Sequence, residues 1–341
     1  MDAPKISVVI PMYNAERFIR QTLISVLASK FKDYEVLVVD DCSTDSSVAE
    51  AEKLLPHFDG RLKILSTDKN SGGAGVPRNV GVKNSAGKYV CFLDADDFFL
   101  PTALGELFDV AEKFQADVVH TEKFFAFNDK GESNFRREDL ILRKDEAGEP
   151  IDVPTLEPDD IGERIRRCID GKFLWMPWGK FYRREFLLEN KIDFPDMAFT
   201  EDLVFCFECF IAAENYLRVP FVTTIYRMNQ NSVSKKILSS RDGVKLWLRS
   251  IIDGMNFITN FTNELEYFRR VPEAKFLVKK FLVPTYFSFI ENLFQGLKPH
   301  EVEEIFFDEL QNPALNSAGK NLVAAYLYAE RILTRLNNRW Q

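Results

Sequence analysis

The amino-acid sequence predicts an α/β fold in which helices flank a mainly parallel β-sheet, followed by an appended helical region. Short apolar segments alternate with amphipathic helical patterns through the first hundred residues, as expected for βαβ units. Each apolar segment ends in polar residues, and from Ser240 onward the apolar residues recur at helical spacing. We therefore expect one domain over residues 1–236 and an α-helical domain over residues 237–341.

The predicted strands are short runs of β-branched and other apolar residues that stop at polar or turn-forming positions. In chain order they are Ile6–Ile10, Glu35–Val39, Leu62–Leu65, the run from Tyr89 into Asp94, Ala116–Thr121, Leu217–Val219 and Val222–Tyr226. Their apolar character predicts buried strands in the centre of an α/β sheet.

The predicted helices follow the strands, and several carry recognisable start signals. Asn14 is expected to cap a helix with Phe18 and Leu23 on its apolar face, and Ser47 and Glu50 stand at capping-box spacing. Further helices are expected from Arg78 to about Asn84, from Pro101 onward, and over Asp159–Ile169.

The composition indicates a folded protein that does not bind nucleic acid. Hydrophobic residues make up 46% of the 341 residues and include 31 Phe, which is enough for a large core. The 44 Lys and Arg against 52 Asp and Glu give a net charge of −8, which argues against nucleic-acid binding and against broad docking on anionic membranes. A phosphate-bearing ligand would need local donors or a cation.

Nothing in the sequence predicts a signal peptide or a membrane-spanning helix, so we expect a cytoplasmic protein, with the inner face of the cell membrane as an alternative location. Five scattered cysteines fit reduced thiols better than a disulfide framework. Cys206 and Cys209 form a C-x-x-C pair inside an apolar helical segment, where core packing is favoured over zinc binding.

The segment from Tyr89 to Asp97 leads an apolar strand directly into a cluster of carboxylates. Residues two apart in an extended chain point to the same side, so Asp94 and Asp96 can converge at the carboxyl end of the strand. Two carboxylates in an Asp-x-Asp pattern suit Mg²⁺ or Mn²⁺, especially when substrate phosphates complete the coordination. Ordinary turn and N-cap chemistry is the alternative interpretation.

Polar residues end each of the first four strands, and together they predict one continuous crevice. They are Tyr13 and Asn14, then Asp40 and Asp41, then the glycine-containing loop with Arg78, then Asp94 and Asp96. The turn after the first strand lacks G-x-G-x-x-G, which argues against a dinucleotide-binding Rossmann domain.

Four segments, in this order and spacing, resemble the inverting family 2 glycosyltransferases, which have a GT-A fold. The segments are Val8-Val9-Ile10-Pro11-Met12-Tyr13-Asn14, Val38-Val39-Asp40-Asp41-Cys42-Ser43-Thr44-Asp45, Gly75-Val76-Pro77-Arg78-Asn79-Val80-Gly81 and Phe92-Leu93-Asp94-Ala95-Asp96-Asp97. The resemblance covers the first hundred residues closely. It implies a Rossmann-like nucleotide-diphospho-sugar transferase domain.

The resemblance also implies a donor site. Pro11, Tyr13 and Asp41 would hold the uracil and ribose of a UDP-sugar, with Asn70, Gly73 and Arg78 nearby. Asp94 and Ala95 would approach the ribose or the cation, and Asp96 would be the direct ligand of Mn²⁺ or Mg²⁺. An aromatic ring for stacking and a carboxylate for the uracil imide agree with these roles. The alternatives are a packing role for Tyr13, turn formation by Asp41, and a solvated Arg78.

A second acidic segment follows Thr200, which is expected to be the N-cap of a helix beginning with Glu201 and Asp202. By resemblance this is the acidic pair of the family, with Asp202 as the catalytic base and Glu201 as the second candidate. The resemblance also places Arg227 and Ser232 in a loop that closes over the diphosphate. We expect Asp96 and Asp202 to face each other across one cavity.

Other residues leave alternatives open. His120, at a strand end, is expected to be structural more readily than part of an acceptor site, and Trp175 and Trp178 suit either sugar stacking or core packing. The helical C-terminal region could pack on the first domain, form a homo-oligomer, or contact the membrane where lipid-linked acceptors lie.

These features predict a metal-dependent inverting glycosyltransferase that uses a nucleotide-sugar, with UDP-sugar expected. The acceptor would be a hydroxyl of a saccharide, polyol-phosphate or lipid-linked glycan in bacterial surface-glycan synthesis. One alternative is a catalytically silent nucleotide-sugar-binding scaffold. Another is a haloacid-dehalogenase-type phosphotransferase, but that class needs Thr or Val at the position of Phe98.

Overall fold

The structure is a computed structural model that describes residues 3–128, 133–134, 152–170, 175–228, 241–293 and 299–311. The chain divides into two compact units. Unit 1 comprises Met1–Met197 and Glu201–Asn229, and unit 2 comprises Ala198–Thr200 and Gln230–Gln341.

Unit 1 is built on one mixed β-sheet. Its strands are β1 (Ile6–Met12), β2 (Tyr34–Asp40), β3 (Leu62–Ser66), β4 (Tyr89–Phe92), β5 (Phe98–Phe99), β6 (Val118–Asn128), β7 (Ser133–Asn134), β8 (Thr155–Leu156), β9 (Lys180–Arg183) and β10 (Tyr216–Met228). The order across the sheet is β3-β2-β1-β4-β9-β6-β10-β5, while β7 pairs with β6 and β8 with β10.

The helices of unit 1 are α1 (Ile19–Leu27), α2 (Ser47–Glu52), α3 (Gly75–Asn84), α4 (Ala103–Phe114), α5 (Ile161–Asp170), α6 (Arg184–Glu189) and α7 (Glu201–Ala212), and a 3₁₀ helix covers Leu55–Phe58. The parallel strands β3-β2-β1-β4 alternate with helices along the chain, as the sequence predicted. Every residue of β1 and β2 is buried, as expected of central strands with both faces covered.

The second half of the sheet is mixed because β9 lies between β4 and β6 and runs antiparallel to both. The two short strands predicted at Leu217–Val219 and Val222–Tyr226 are one strand, β10, with shifts in its pairing register after Val219 and after Val222. Pro220 lies in the first shift, where its missing N–H costs no ladder hydrogen bond.

Helix α3 packs unusually close to β1 because Gly81 faces the strand. A Cβ atom at Gly81 would lie 2.2 Å from Cγ1 of Val9, so a larger residue would require the Val9 side chain or the backbone to shift. This close approach fixes the helix that carries Arg78.

Two predicted helix caps are wrong, and at a third the helix begins where it was predicted but the side chain before it has another partner. Helix α1 begins only at Ile19, and the Asn14 side chain instead accepts a hydrogen bond from the N–H of Thr44 (2.8 Å). Ser47 is the first residue of α2 and donates its hydroxyl to Asp45. Thr200 has a left-handed φ of 65° and donates its hydroxyl to the carbonyl of Ser250 (3.2 Å). For Asn14 and Thr200 a longer-range contact takes the place of the local cap, and for Ser47 a bond two residues back along the chain does so.

Unit 2 is helical over its described residues. Its helices are α8 (Arg241–Glu264), α9 (Glu266–Arg270), α10 (Ala274–Leu293) and α11 (Pro299–Leu310), and α8 packs on the other three. Within this unit the ring of Phe199 stacks on Trp247 at 4.2 Å between centroids. Among the described residues of both units, no helix combines the length and hydropathy needed to cross a bilayer.

Candidate active site

The guanidinium of Arg78 joins two carboxylates from distant parts of unit 1. Its Nη1 donates to Oδ1 of Asp202 at 2.6 Å, and its Nη2 donates to Oδ1 of Asp94 at 2.8 Å. Arg78 is only 2% exposed, and its guanidinium lies 5.2 Å from the centroid of the Phe194 ring. Helix α3, the turn after β4 and the first turn of α7 therefore meet at one buried cation.

Glu201 and Asp202 are adjacent in sequence but have different electrostatic surroundings. The nearest oxygen of Glu201 is 4.0 Å from Nη1 of Arg78, and burial together with the charge of Asp202 raises the pKa of Glu201 to about 8. Burial also raises the pKa of Asp202, but Arg78 opposes that shift through its direct contact. Glu201 therefore favours its protonated form at neutral pH, and the contact with Arg78 favours the ionised form of Asp202.

The carboxylate of Asp202 is the more accessible member of the acidic pair. About a third of its side chain (34%) is exposed, whereas the side chain of Glu201 is 11% exposed. Burial alone would lower the pKa of Arg78, but Asp202, Asp94 and Glu201 raise it above its ordinary value, so the guanidinium stays charged. An ionised, partly accessible carboxylate beside a permanent cation can accept a proton from an incoming hydroxyl.

The turn that follows β4 is held by hydrogen bonds to its backbone. The N–H of Asp97 donates to the carbonyl of Asp94 (3.0 Å), and the carbonyl of Ala95 accepts the hydroxyl of Thr22 (2.8 Å). Asp97 is fully buried and accepts the N–H of Arg227 at 2.8 Å. Burial and then the charges of Asp94 and Asp96 raise the pKa of Asp97 well above its ordinary value, so this turn concentrates negative charge.

The side chain of Arg227 supports the same turn. Its Nε donates to the carbonyl of Asp96 at 3.0 Å, and its Nη2 donates to Oε1 of Gln21 at 2.6 Å. The guanidinium lies 4.8–5.0 Å from the ring centroids of three phenylalanines, Phe18, Phe98 and Phe127. Cation–π contacts of this kind hold a buried guanidinium in one orientation.

At the end of β2, Asp41 organises the loop that follows β3. Its carboxylate accepts the hydroxyl of Thr67 (2.8 Å) and both the N–H and the hydroxyl of Ser71 (2.9 Å each). Its backbone carbonyl accepts the side-chain amide of Asn70 (2.9 Å), and the carbonyl of Gly73 lies 2.9 Å from the Ser71 hydroxyl oxygen. Asp41 is 3% exposed, so it shapes this loop directly.

A cavity of about 320 Å³ adjoins the same loop, with Asn70, Ser71 and Asp196 among its lining residues and Val76 and Val80 of α3 forming one wall. Tyr13 follows β1 with 47% of its surface exposed, while Pro11 is buried inside that strand.

The family described as Glycosyl transferase family 2 matches residues 7–196, more than half of the chain. The chain belongs to glycosyl transferase family 2. The family predicted from the four motifs is confirmed, and the matched range includes Arg78 and the acidic turn but ends before Glu201.

Two curated glycosyltransferases are similar to part of the chain. The uncharacterized glycosyltransferase EpsJ of Bacillus subtilis is 29% identical over 233 residues, which cover 68% of this chain and 63% of EpsJ. The poly(ribitol-phosphate) beta-N-acetylglucosaminyltransferase TarS of Staphylococcus aureus is 38% identical over 117 residues, 34% of this chain and 20% of TarS. The chain thus spans less than two thirds of either relative.

Two solved glycosyltransferase structures share the fold. The crystal structure of S. aureus TarS 1–349 in complex with UDP-GlcNAc matches with a TM-score of 0.63 and 24% identity, covering 93% of this chain and 83% of that one. The mannosyltransferase PcManGT from Pyrobaculum calidifontis, in complex with GDP-Man and Mn²⁺, matches with a TM-score of 0.55 and 14% identity over 97% of this chain and 87% of that one. The predicted GT-A fold with a helical C-terminal region is confirmed.

The acidic turn fits the divalent cation that the resemblance implies. Within the described residues, no three His, Cys, Asp or Glu side chains are arranged to hold a metal ion by themselves. Asp94 and Asp96 nevertheless supply hard oxygen donors in a turn where burial, and then the charges of these two residues, raise the pKa of Asp97. Mg²⁺ and Mn²⁺ commonly take one or two carboxylates and complete their coordination with phosphates and water.

The structure brings four of the predicted site residues into one cluster, namely Arg78, Asp94, Glu201 and Asp202. Arg78 is buried, so the solvated alternative is wrong. Asp41, Asn70 and Gly73 meet in the loop after β3, and Arg227 reaches the backbone of Asp96. Ser232 lies outside the described residues.

Sequence reasoning missed three residues that support the site. Gln21 and Thr22 of α1 contact Arg227 and Ala95, and no local pattern distinguishes them from other helix residues. Asp97 could have been recognised as the third carboxylate of its segment, but its complete burial depends on β10.

His120 and Trp178, whose roles the sequence left open, pack against neighbouring side chains. His120 is buried, with Nδ1 3.0 Å from the hydroxyl of Tyr216. Trp178 is buried, and its ring stacks on Tyr226 at 5.6 Å between centroids. Cys206 and Cys209 are both buried free thiols, so the core-packing prediction is confirmed.

Proposed function

We propose that this chain is a metal-dependent inverting glycosyltransferase that moves a sugar from a UDP-sugar to a hydroxyl of a saccharide, polyol-phosphate or lipid-linked acceptor. The observation that carries the proposal is the convergence of Asp202 and Asp94 on Arg78. A partly exposed base and the donor-side acidic turn belong to one site, as displacement at a sugar carbon requires.

In the proposed reaction Asp202 accepts the proton of the acceptor hydroxyl while that oxygen forms a bond to the anomeric carbon. The bond between the anomeric carbon and the diphosphate oxygen breaks on the opposite face, and the electron pair leaves with the nucleoside diphosphate. A single displacement of this kind inverts the anomeric configuration. A positioned base contributes about 10²–10⁴-fold to such a step.

Asp94 and Asp96 are the residues that would hold the divalent cation beside the diphosphate. Bound there, the cation would neutralise negative charge that develops on the leaving group. Tyr13 and the loop organised by Asp41 would hold the base and ribose, since the exposed ring offers a stacking face. The catalytic domain would be residues 1–236, and residues 237–341 would form the helical domain.

The comparisons favour particular donors and acceptors. TarS has been crystallised with UDP-GlcNAc, and its name records transfer of N-acetylglucosamine to poly(ribitol-phosphate). A UDP-linked hexose or N-acetylhexosamine and a polyol-phosphate hydroxyl are therefore our first choices. PcManGT was crystallised with GDP-Man and Mn²⁺, which makes GDP-sugars the necessary comparison.

The test is a thermal-shift panel of UDP-, GDP- and CMP-sugars with Mn²⁺ or with chelator, because a ligand that binds the folded state raises its stability. Release of nucleoside diphosphate from each stabilising donor is then measured with poly(ribitol phosphate) as acceptor. We expect UDP-sugars to stabilise the chain and to be turned over, and chelator to remove both effects. Stabilisation without turnover would favour a silent binding module, and no stabilisation by any donor would overturn the proposal.

A matched pair of variants tests the metal site in the same assay. Asp96→Ala should remove the Mn²⁺-dependent part of the thermal shift. Asp109→Ala removes an equal charge from an exposed position on α4 and should keep it. Equal behaviour of the two variants would argue against Asp96 as a ligand.

A further inference from the structure

Arg78 directs its guanidinium at two carboxylates within the protein. Nη1 and Nη2 bind Asp202 and Asp94, and the buried Nε has no hydrogen-bond partner among the described residues. On the basis of the proposed function, we propose that Arg78 is a positioning residue for the base Asp202. Arg78 holds Asp202 at a fixed place relative to Asp94, and therefore determines turnover more than donor affinity.

The surroundings of Arg78 give it little freedom. Next to it on α3, Asn79 donates to the carbonyl of Phe194 (2.7 Å) and accepts the N–H of the same residue (2.9 Å). At the start of α3, a Cβ on Gly75 would lie 3.0 Å from Cβ of Phe194 and 3.2 Å from Cγ of Glu201. Hydrogen bonds and close packing thus hold helix α3 against the segment before α7, and the side chain of Arg78 reaches from this helix to Asp94.

The charges of the three residues explain why Arg78 couples Asp94 to Asp202. Asp94 and Asp202 repel each other, and Arg78 is the cation that contacts both. A planar guanidinium can donate to two carboxylates through different nitrogens. The ammonium of lysine is instead a point charge at the end of a shorter side chain. Replacement by lysine keeps the charge but loses the simultaneous contacts, and removal of the charge leaves two partly buried carboxylates without their partner.

The chain offers a matched control in Arg218. This arginine is also buried, at 4% exposure, and forms ion pairs with Glu157 and with Glu122. It lies near the N-terminal end of β10, whereas Arg227 and the acidic turn lie toward the other end of that strand. A lysine substitution there makes the same chemical change in a comparable environment.

The experiment compares Arg78→Lys with Arg218→Lys by kcat, the KM for donor, the dissociation constant for UDP with Mn²⁺, and Tm. For Arg78→Lys we expect kcat to fall by about 100-fold while the UDP dissociation constant changes by less than about threefold. For Arg218→Lys we expect kcat per folded molecule to stay within about twofold of wild type, whatever the loss in Tm. In Arg78→Ala, added ethylguanidine should restore part of kcat.

Three outcomes would overturn the proposal. Wild-type kcat in Arg78→Lys would show that charge alone suffices. A weakened UDP affinity with unchanged kcat would make Arg78 a donor contact. Equal losses of kcat in Arg78→Lys and Arg218→Lys would assign a general structural role.

A stability measurement separates this inference from the proposed function. If the wild-type chain turns over no donor, the proposed function fails, but a denaturation cycle of Arg78→Met, Asp202→Asn and the double variant still tests the coupling. We expect the effects on the unfolding equilibrium constant to deviate from a simple product by at least about threefold. Independent effects would overturn the coupling itself.

Discussion

The side chain of Arg227 donates from Nε to the backbone carbonyl of Asp96, 3.0 Å away and 131 positions earlier in the chain. The same residue offers its N–H to the carboxylate of Asp97. One residue near the end of β10 therefore holds two successive positions of the acidic turn, and its guanidinium is itself surrounded by three phenylalanine rings. The geometry of a predicted metal-binding turn thus depends on a strand that is remote in sequence.

Replacement of Arg227 by methionine should loosen the acidic turn. We expect Mn²⁺-dependent UDP affinity, measured by calorimetry, to fall by about tenfold, equivalent to about 1.4 kcal/mol. Arg61→Met is the control, since Arg61 also lies over aromatic rings, Tyr34 and Phe58, and donates to a backbone carbonyl. Unchanged UDP affinity in Arg227→Met would show that the turn holds its shape without this contact.

Substitution at the acidic pair should separate the two carboxylates by function. Asp202→Asn is expected to reduce transfer by about 10²–10⁴-fold while leaving UDP binding nearly intact, because it removes the proton acceptor. Glu201→Gln should reduce turnover by less than about tenfold, because a protonated Glu201 cannot serve as the base at neutral pH. A larger loss in Glu201→Gln than in Asp202→Asn would reverse the assignment.

The raised pKa of Glu201 predicts a pH-dependent loss of stability. The folded state holds the proton up to a pKa of about 8, whereas the ordinary value is 4.5, so the folded chain binds more protons between these values. Folding stability from this group is therefore complete below pH 4.5 and is lost as pH rises through about 8. The folding stability lost from this group is at most about 1.4 kcal/mol for each unit by which its pKa is raised.

The measurement is urea denaturation of wild type and Glu201→Gln at several pH values. Glutamine has no proton to lose, so the variant should become more stable relative to wild type as the pH increases across this range. A difference that stays constant with pH would show that Glu201 titrates normally in the folded chain.

A pair of glycine substitutions tests the packing that positions Arg78. Gly81→Ala should destabilise the chain by about 1–3 kcal/mol, because its Cβ would meet Val9 at 2.2 Å. Gly105→Ala on α4, where the nearest neighbour would be Cβ of Phe31 at 3.8 Å, should stabilise by up to about 1 kcal/mol. The change in stability of each variant is obtained from its denaturant midpoint. An unchanged stability in Gly81→Ala would mean that α3 can move away from β1.

The sequence by itself determined the alternation of strands and helices in the first half of unit 1, because the spacing of apolar residues and the identity of turn residues act locally. It also determined the family, since four motifs in a fixed order marked the polar ends of successive strands. Helix caps were predicted less well. Asn14 and Thr200 have polar side chains that suit a cap, but tertiary contacts with Thr44 and Ser250 use those groups instead.

Only the tertiary structure decided how the charged residues pair. Arg78 and Asp202 are 124 positions apart, and their contact at 2.6 Å exists because Gly81 lets α3 approach β1 and Asn79 fastens it to Phe194. Through that contact Arg78 opposes the rise in the pKa of Asp202 that burial causes, whereas Glu201 lies farther from the guanidinium. Local sequence patterns carry no information on such distances, because they arise from packing between segments that meet only when the chain folds.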